Sequence, residues 1–268
     1  MQTKLTDKIS REGVVIHHTA VIDPSAQLGN QVSIGPYSVI GPDVEIGDGT
    51  HIGAHVVIGE HTRIGCHNNI FQFASVGEIP QDLKFKGETT YLEIGDHNIV
   101  REFCTLNRGT AQDKGTTKIG NHNLFMAYVH IAHDCVIGNH TIFANNASLA
   151  GHVTIEDHVI LSAFAGVFQF CRMGAYSFAA TNAVIIKDVP PFVKVSGYYA
   201  KPFGLNTVGL QRHAFSEEVM TTLRRAYKVI YRNGLTLANA VEELQQFSSQ
   251  EVNQLVAFIT SSRVGIIR

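Results

Sequence analysis

The chain has 268 residues, 16% of them charged, and a formal net charge of −2 at pH 7. That balance gives no bulk electrostatic footprint for nucleic acid, no apolar run reaches the length of a membrane-crossing helix, and the opening MQTKLTDKISREG lacks the apolar core of a secretory signal. Four cysteines with no CxxC pair and no zinc-ligand spacing read as reduced thiols of a cytoplasmic protein.

In chain order, residues 1–13 are polar and form a lead-in. From Ile16 to Val76 every sixth residue is aliphatic, and Gly follows it in most units, as at Gly29, Gly35, Gly47 and Gly65. A period of six over this length is the mark of a solenoid rather than of a helix or a hairpin sheet. The residue two places earlier is small or β-branched, for example Val32, Ser38, Val44 and Thr50. Two inward positions flanking one outward position is strand alternation. The remaining residues turn a corner, so three units make one triangular coil of about eighteen residues that buries its aliphatics only by stacking on the next.

The comb breaks twice. Polar EIPQDLKFKGETT and then NRGTAQDKGTTK predict external loops near 78–93 and 107–118, and the phase restarts at Ile119 and runs to Ile185. Pro190 and Pro191 end it. After that the apolar spacing becomes helical, with starts at Ser216, Thr236 and Ser249 and a short helix near Asn206–Arg212. The expected organisation is an all-β solenoid, a parallel β-helix of hexapeptide repeats, over 1–191 and a small α-helical domain over 192–268.

Most histidines have a structural explanation. His55, His61, His67, His97, His122, His140, His152 and His158 all fall three residues past the comb, at the corner, where Asn, Asp and His tolerate left-handed backbone. His130 and His133 break that phase. Asp134 follows His133 directly, the composition of an oriented general base. Metal binding by the two histidines is the rival, with no third ligand evident in the sequence.

Nine segments, in order, carry a more specific resemblance: FQFASVGEIPQDLKFKGE, LNRGT, HIAHDCVIGN, ANNASLAGHV, FQFC, DVPPFV, PFGLNTVGLQRHAFS, LRRAYKVIYR and the terminal RVGIIR. Together they resemble the acyl-[acyl-carrier-protein]–UDP-N-acetylglucosamine O-acyltransferases, which begin lipid A synthesis, over nearly the whole chain. The resemblance implies a left-handed β-helix and a homotrimer with active sites between prisms. It implies transfer of a (3-hydroxy)acyl chain from acyl-carrier protein to the 3-hydroxyl of UDP-N-acetylglucosamine, without metal or organic cofactor. His133 matches the catalytic base, Asp134 its orienting carboxylate, and Gly151 the oxyanion donor. Asp82, Lys84, His130 and His152 match sugar-site residues. Gln169, Asn206 and Arg212 match nucleotide or phosphate contacts, and Thr181 the position that limits acyl length.

The departures are Asn107, Ser162, Ala163, Phe168, Val208 and His213, where the family commonly carries His, Gly, Gly, His, Glu and Arg. They fall on recognition rather than on the base. Thr181 stands where the long-chain enzymes carry Gly, so a chain shorter than fourteen carbons is expected. Alternatives are O- or N-acylation of a different nucleotide amino sugar, and a zinc-dependent β-helix lyase. Arg224, Arg225, Lys228 and Arg232 share one predicted helix and either dock the acidic carrier protein or form a solvated face.

Overall fold

The computed structural model describes residues 12–268; the predicted lead-in lies almost wholly outside them. Strands of two to four residues wind into three sheets, the faces of a left-handed prism. Face A runs from Val15–Ile16 through Phe178–Ala179, face B from Val21–Ile22 to Val184–Ile185, and face C from Gln27–Leu28 to Arg172–Met173. Neighbouring strands are parallel and one coil apart, as where Ser33 pairs with His51 and Ile34 with Ile52.

The second residue of each two-residue strand points inward, and Leu28, Ile34, Ile40, Ile46 and their successors form one continuous buried column. Each contributes about 1.5–3 kcal/mol of burial. The second inward slot takes hydroxyls because they reach a carbonyl of the next coil: Ser38 Oγ donates to Gly53 O at 2.7 Å and Thr50 Oγ1 to Gly65 O at 2.9 Å. In three coils the slot holds an amide that pattern reading did not list. Asn68, Asn98 and Asn123 are buried and stacked, with Asn98 Nδ2 donating to Asn68 Oδ1 at 3.0 Å.

The glycine after the comb residue is required by close approach. A Cβ on Gly47 would lie 2.6 Å from the Gly65 backbone one coil on. Left-handed backbone falls two residues later, at the corners: the eight corner histidines have φ of 55° to 64°, and Asp134 has φ 59°.

Both external segments leave the same edge. The chain departs from face B after Ser75–Glu78 and after Thr105–Asn107, and returns on face C at Tyr91–Ile94 and Thr116–Ile119. The returning strands stay in register, Ile94 against Ile119, so the insertions are looped out without disturbing the prism. The base of the first is clipped by Asn107, whose Nδ2 donates to Ile79 O at 2.9 Å.

Past residue 191, Val193–Ser196 adds a further parallel strand to face A, and Lys201–Leu205 folds back antiparallel on it. Four helices follow: α1 (Thr207–Arg212), α2 (Glu217–Tyr231), α3 (Leu237–Leu244) and α4 (Gln250–Thr260). Asn206, Ser216, Thr236 and Ser249 cap them, each side chain accepting a backbone N–H of the first turn. Met220, Leu223, Leu244, Val252 and Leu255 pack with Phe192 of the prism end. The terminal RVGIIR returns to the solenoid, where Ile267 N donates to Asp188 O at 2.8 Å.

The faces differ in chemistry. Outward positions of face C carry charges, including Glu45, Arg63, Glu93 and Lys118, with Arg63 and Lys118 ion-paired to their neighbours at 3.3–3.9 Å. Outward positions of face A from Val15 to Phe178 carry none, nor do those of face B apart from Glu78, at the end of Ser75–Glu78.

Candidate active site

The edge between faces B and C collects the candidate chemistry. Asp134 takes the left-handed corner after the strand His130–Ile131, which turns its side chain into the edge, where it is fully buried. Its oxygens accept the Thr110 N–H at 3.0 and 3.1 Å and the Thr110 hydroxyl at 2.6 Å. Its own N–H donates to Thr117 Oγ1 at 2.8 Å. Thr110 belongs to the second insertion, so that loop holds the carboxylate.

His133, one residue before, places Nδ1 3.0 Å from Asp134 Oδ2. Burial alone would push the Asp134 carboxyl up, but the hydrogen bonds from His133 and Thr110 outweigh it and hold the group below the usual carboxylate range. An ionised carboxylate only accepts, so Nδ1 carries the proton and Nε2 keeps a free lone pair. That lone pair faces Gly151, on the next coil. A Cβ there would lie 2.7 Å from Nε2 and 2.5 Å from Cε1 of His133. The Gly151 N–H donates to no acceptor among the described residues. A buried, unspent backbone donor beside a base is the composition of an oxyanion site.

His152 follows Gly151 at the next corner. Its ring meets the His133 ring edge-on, centroids 5.0 Å apart at 87°, and stacks on Phe170 at 4.5 Å. Asp113 of the second insertion holds its Nδ1 at 2.8 Å. His130 lies on face B with Nδ1 2.7 Å from Thr105 Oγ1; burial and then the charge of His133 hold it below the usual imidazole range. Asp82 and Lys84 of the first insertion line a cleft of about 840 Å³ together with Thr110, Asp113, Lys114, His152 and Phe170. A second, more apolar groove of about 380 Å³ runs along face B from His130 past Ser148, Ala150 and Gly166 to Phe168 and Val184.

Not every expected site residue comes to this edge. Gln169 does, exposed between Phe168 and Phe170. Thr181 is exposed at the turn from face A to face B. Asn206 and Arg212 belong to α1 at the edge between faces C and A, across the prism from His133. Asn206 is committed there: Oδ1 accepts the Gly209 N–H at 3.2 Å and Nδ2 donates to Tyr176 O at 2.9 Å. Val208 and His213 sit on and just after the same helix. Three supporting residues had no assigned role in the sequence, namely Thr110, Thr117 and Asp113. Their place depends on how a looped-out segment folds back, which no periodicity encodes.

The ligand atoms of His133, Asp134 and His152 lie within 4.8 Å of one another. As a metal set they fit poorly. Asp134 Oδ2, the oxygen nearest both rings, already meets the Thr110 N–H, the Thr110 hydroxyl and His133 Nδ1, and His152 Nδ1 is held by Asp113, so a metal would have to displace these bonds. The donor set suits proton handling. The cysteines suit nothing reactive: burial pushes Cys104 up to about 11 and Cys135 and Cys171 up to about 12.

A hexapeptide-repeat prism with a carboxylate-oriented imidazole at its edge and a spare backbone donor beside it defines a β-helical transferase of the hexapeptide class. Bacterial transferase hexapeptide models match residues 25–60, 37–72 and 116–151, and a model described as UDP N-acetylglucosamine O-acyltransferase, domain 2, matches residues 188–267. The chain is 56% identical over 255 residues, 94% of its length and 99% of the relative's, to an acyl-[acyl-carrier-protein]–UDP-N-acetylglucosamine O-acyltransferase of Thiobacillus denitrificans. It is 55% identical over 256 residues to one from Pseudomonas syringae pv. tomato, covering 95% of this chain and 99% of that one. The Francisella novicida UDP-N-acetylglucosamine acyltransferase structure superposes with TM-score 0.93 at 43% identity, covering 95% of this chain and 94% of that one. The Moraxella catarrhalis enzyme superposes with TM-score 0.92 at 47% identity, covering 94% and 99%. The chain belongs to the acyl-[acyl-carrier-protein]–UDP-N-acetylglucosamine O-acyltransferase family.

Proposed function

We propose that this acyltransferase moves a (3-hydroxy)acyl chain from the thioester of acyl-carrier protein to the 3-hydroxyl of UDP-N-acetylglucosamine, the first step of lipid A synthesis. The observation that carries the reading is the 3.0 Å contact between His133 Nδ1 and a buried, fully hydrogen-bonded Asp134. His133 Nε2 takes the proton of the sugar hydroxyl as its oxygen attacks the thioester carbonyl carbon. The Gly151 N–H meets the resulting oxyanion. Collapse breaks the C–S bond, and the departing thiolate recovers the proton from His133. The scheme uses no metal, no organic cofactor and no acyl-enzyme.

A homotrimer completes the site. The outward rows of faces A and B, uncharged but for Glu78, suit burial, so face A of one protomer packs on face B of the next. Their shared edge, with exposed Tyr37, Phe73, Phe103, Tyr128 and Phe164, then lines the three-fold axis. That packing sets the His133 edge of one protomer beside the α1 edge of its neighbour. It brings a second protomer's Arg212, with its guanidinium, to the nucleotide phosphates, on the helix that Asn206 caps. Asp82, Lys84, His130 and His152 hold the sugar, Gln169 the nucleotide, and the face B groove the acyl chain. Phe168 and Thr181 restrict that groove, favouring chains below fourteen carbons.

The acidic carrier protein docks on α2. There Arg224 is 3.7 Å from Glu217 and Arg225 lies 5.3 Å over the Phe247 ring, while Lys228 and Arg232 have no ion-pair partner among the described residues. No described helix is long and apolar enough to cross a membrane; the proposed compartment is the cytoplasm.

The experiment is mass spectrometry after incubation with UDP-N-acetylglucosamine and a mixed pool of acyl-carrier proteins. An ester at the 3-oxygen, with a chain shorter than fourteen carbons dominant, is expected. An amide product, or no acylated nucleotide sugar at all, would overturn the assignment.

A further inference from the structure

The edge between faces C and A carries a column of aromatic corner residues. His67, His97, His122, His140 and His158 stack ring on ring at 4.8–5.0 Å, and Tyr176 continues the column 4.6 Å beyond His158. At that end the ring of His213, which caps α1, turns its edge onto both neighbours. It lies 4.6 Å from His158 at 63° and 5.2 Å from Tyr176 at 74°. At the other end of α1, Asn206 Nδ2 donates to Tyr176 O at 2.9 Å. A helix of only six residues, too short to be stable alone, is thus pinned to the column at both ends, with Leu210 buried between.

We propose that His158 and His213 form a proton-sensitive latch that positions α1, and through it Arg212, for the nucleotide phosphates. While at least one ring is neutral, an edge-to-face contact holds α1 against the column. With both rings protonated, the same contact sets two like charges together and α1 lifts. The catalytic consequence rests on the proposed role of Arg212; the latch itself does not.

Several features oppose a proton on His158. Its Nδ1 is buried with no hydrogen-bond partner, so the imidazolium would bury an unsatisfied N–H. The groups facing the pair are His140, Tyr176, Asp157 and the adjacent Arg212, and only Asp157 is an anion. Burial, and then the charges of His213 and His140, hold His158 below the usual imidazole range, and Asp157 offsets only part. A histidine whose folded-state pKa is lowered stabilises the fold above its unfolded value, about 6.5, and that contribution is lost as pH falls toward the folded value. The latch therefore holds at neutral pH and opens on acidification.

The test is amide hydrogen exchange on the full-length, substrate-free protein at about pH 7.5 and about pH 5.5, corrected for intrinsic rates. The Leu210 and His213 amides report α1, and the Ile142 amide reports the prism. Relative to Ile142, protection of α1 is expected to fall roughly ten-fold or more in the parent and less than about three-fold in His158→Phe, which keeps a ring that cannot titrate. His213→Phe is the second variant, with the same expectation. Unchanged protection in the parent, or equal loss in parent and variants, overturns the latch. In turnover, KM for UDP-N-acetylglucosamine should rise several-fold on acidification in the parent and stay flat in His158→Phe. Opening of α1 with no change in KM would support the latch and sink the Arg212 assignment.

Discussion

Asp134 Oδ2 lies 3.0 Å from Nδ1 of His133 and 4.0 Å from Nδ1 of His152, so one buried carboxylate stands between two imidazoles set at right angles. Only the nearer imidazole is hydrogen-bonded to it; the farther is held by Asp113. On the proposed mechanism, this divides the pair into an oriented base and a wall.

Replacing Asp134 by Asn should therefore damage turnover more than folding at neutral pH. The amide no longer stabilises an imidazolium at His133, and kcat is expected to fall by about 10²–10⁴-fold. The same variant tests linkage. The Asp134 carboxyl is held below its ordinary value, so its stabilising contribution is present above the unfolded value, about 3.9, and is lost as pH falls toward the folded one. Acid unfolding followed by circular dichroism should show a shallower pH dependence below about pH 4 in the variant.

Gly151→Ala should separate geometry from stability. The glycine does not have positive φ, so its backbone accepts alanine, but the added methyl meets the His133 ring. Displacing that ring and crowding the oxyanion donor should cost about 10²–10³-fold in kcat, with the thermal midpoint lowered by only a few degrees. A variant with normal kcat would show that Gly151 does not face the reacting atoms.

Thr110→Val removes one donor to a fully buried carboxylate. A loss of about 1–3 kcal/mol in urea unfolding is expected, accompanied by reduced kcat as Asp134 loosens its hold on His133. Thr90→Val, at a buried hydroxyl with no hydrogen-bond partner, is the control and should cost little stability.

Gly166 occupies an outward strand position on face B where an added Cβ would meet nothing within 4 Å of the same chain. Valine there should not destabilise the protomer and, as a β-branched residue, suits a strand. It would fill the groove between Ser148 and Val184. The preferred acyl chain should therefore shorten by two or more carbons, about one buried CH₂ costing ~0.8 kcal/mol when excluded. Chain-length competition assays read this directly.

Much of the molecule was legible because the solenoid repeats one local rule. Ile40 and Ile58 stack because each sits at the same phase, and His97 and His122 share a corner for the same reason. Left-handed corners, caps and helix starts were equally local. The candidate site was legible at His133 and Asp134, where side chains break the phase or follow it directly. It was not legible at Thr110 and Asp113, which reach the site from a loop 20 or more residues away in sequence, Thr110 being 24 from Asp134. Nor did the periodicity reveal that Asn206 Nδ2 is spent on tying α1 to the prism, because its partner, Tyr176 O, lies 30 residues away.

The most direct test of the central claim is turnover by His133→Ala with UDP-N-acetylglucosamine and acyl-carrier-protein thioesters, measured alongside its thermal midpoint. If Nε2 of His133 is the base, kcat falls by about 10³-fold or more while the midpoint drops by only a few degrees, the cost of one lost donor to Asp134. Turnover within about three-fold of the parent would contradict the account.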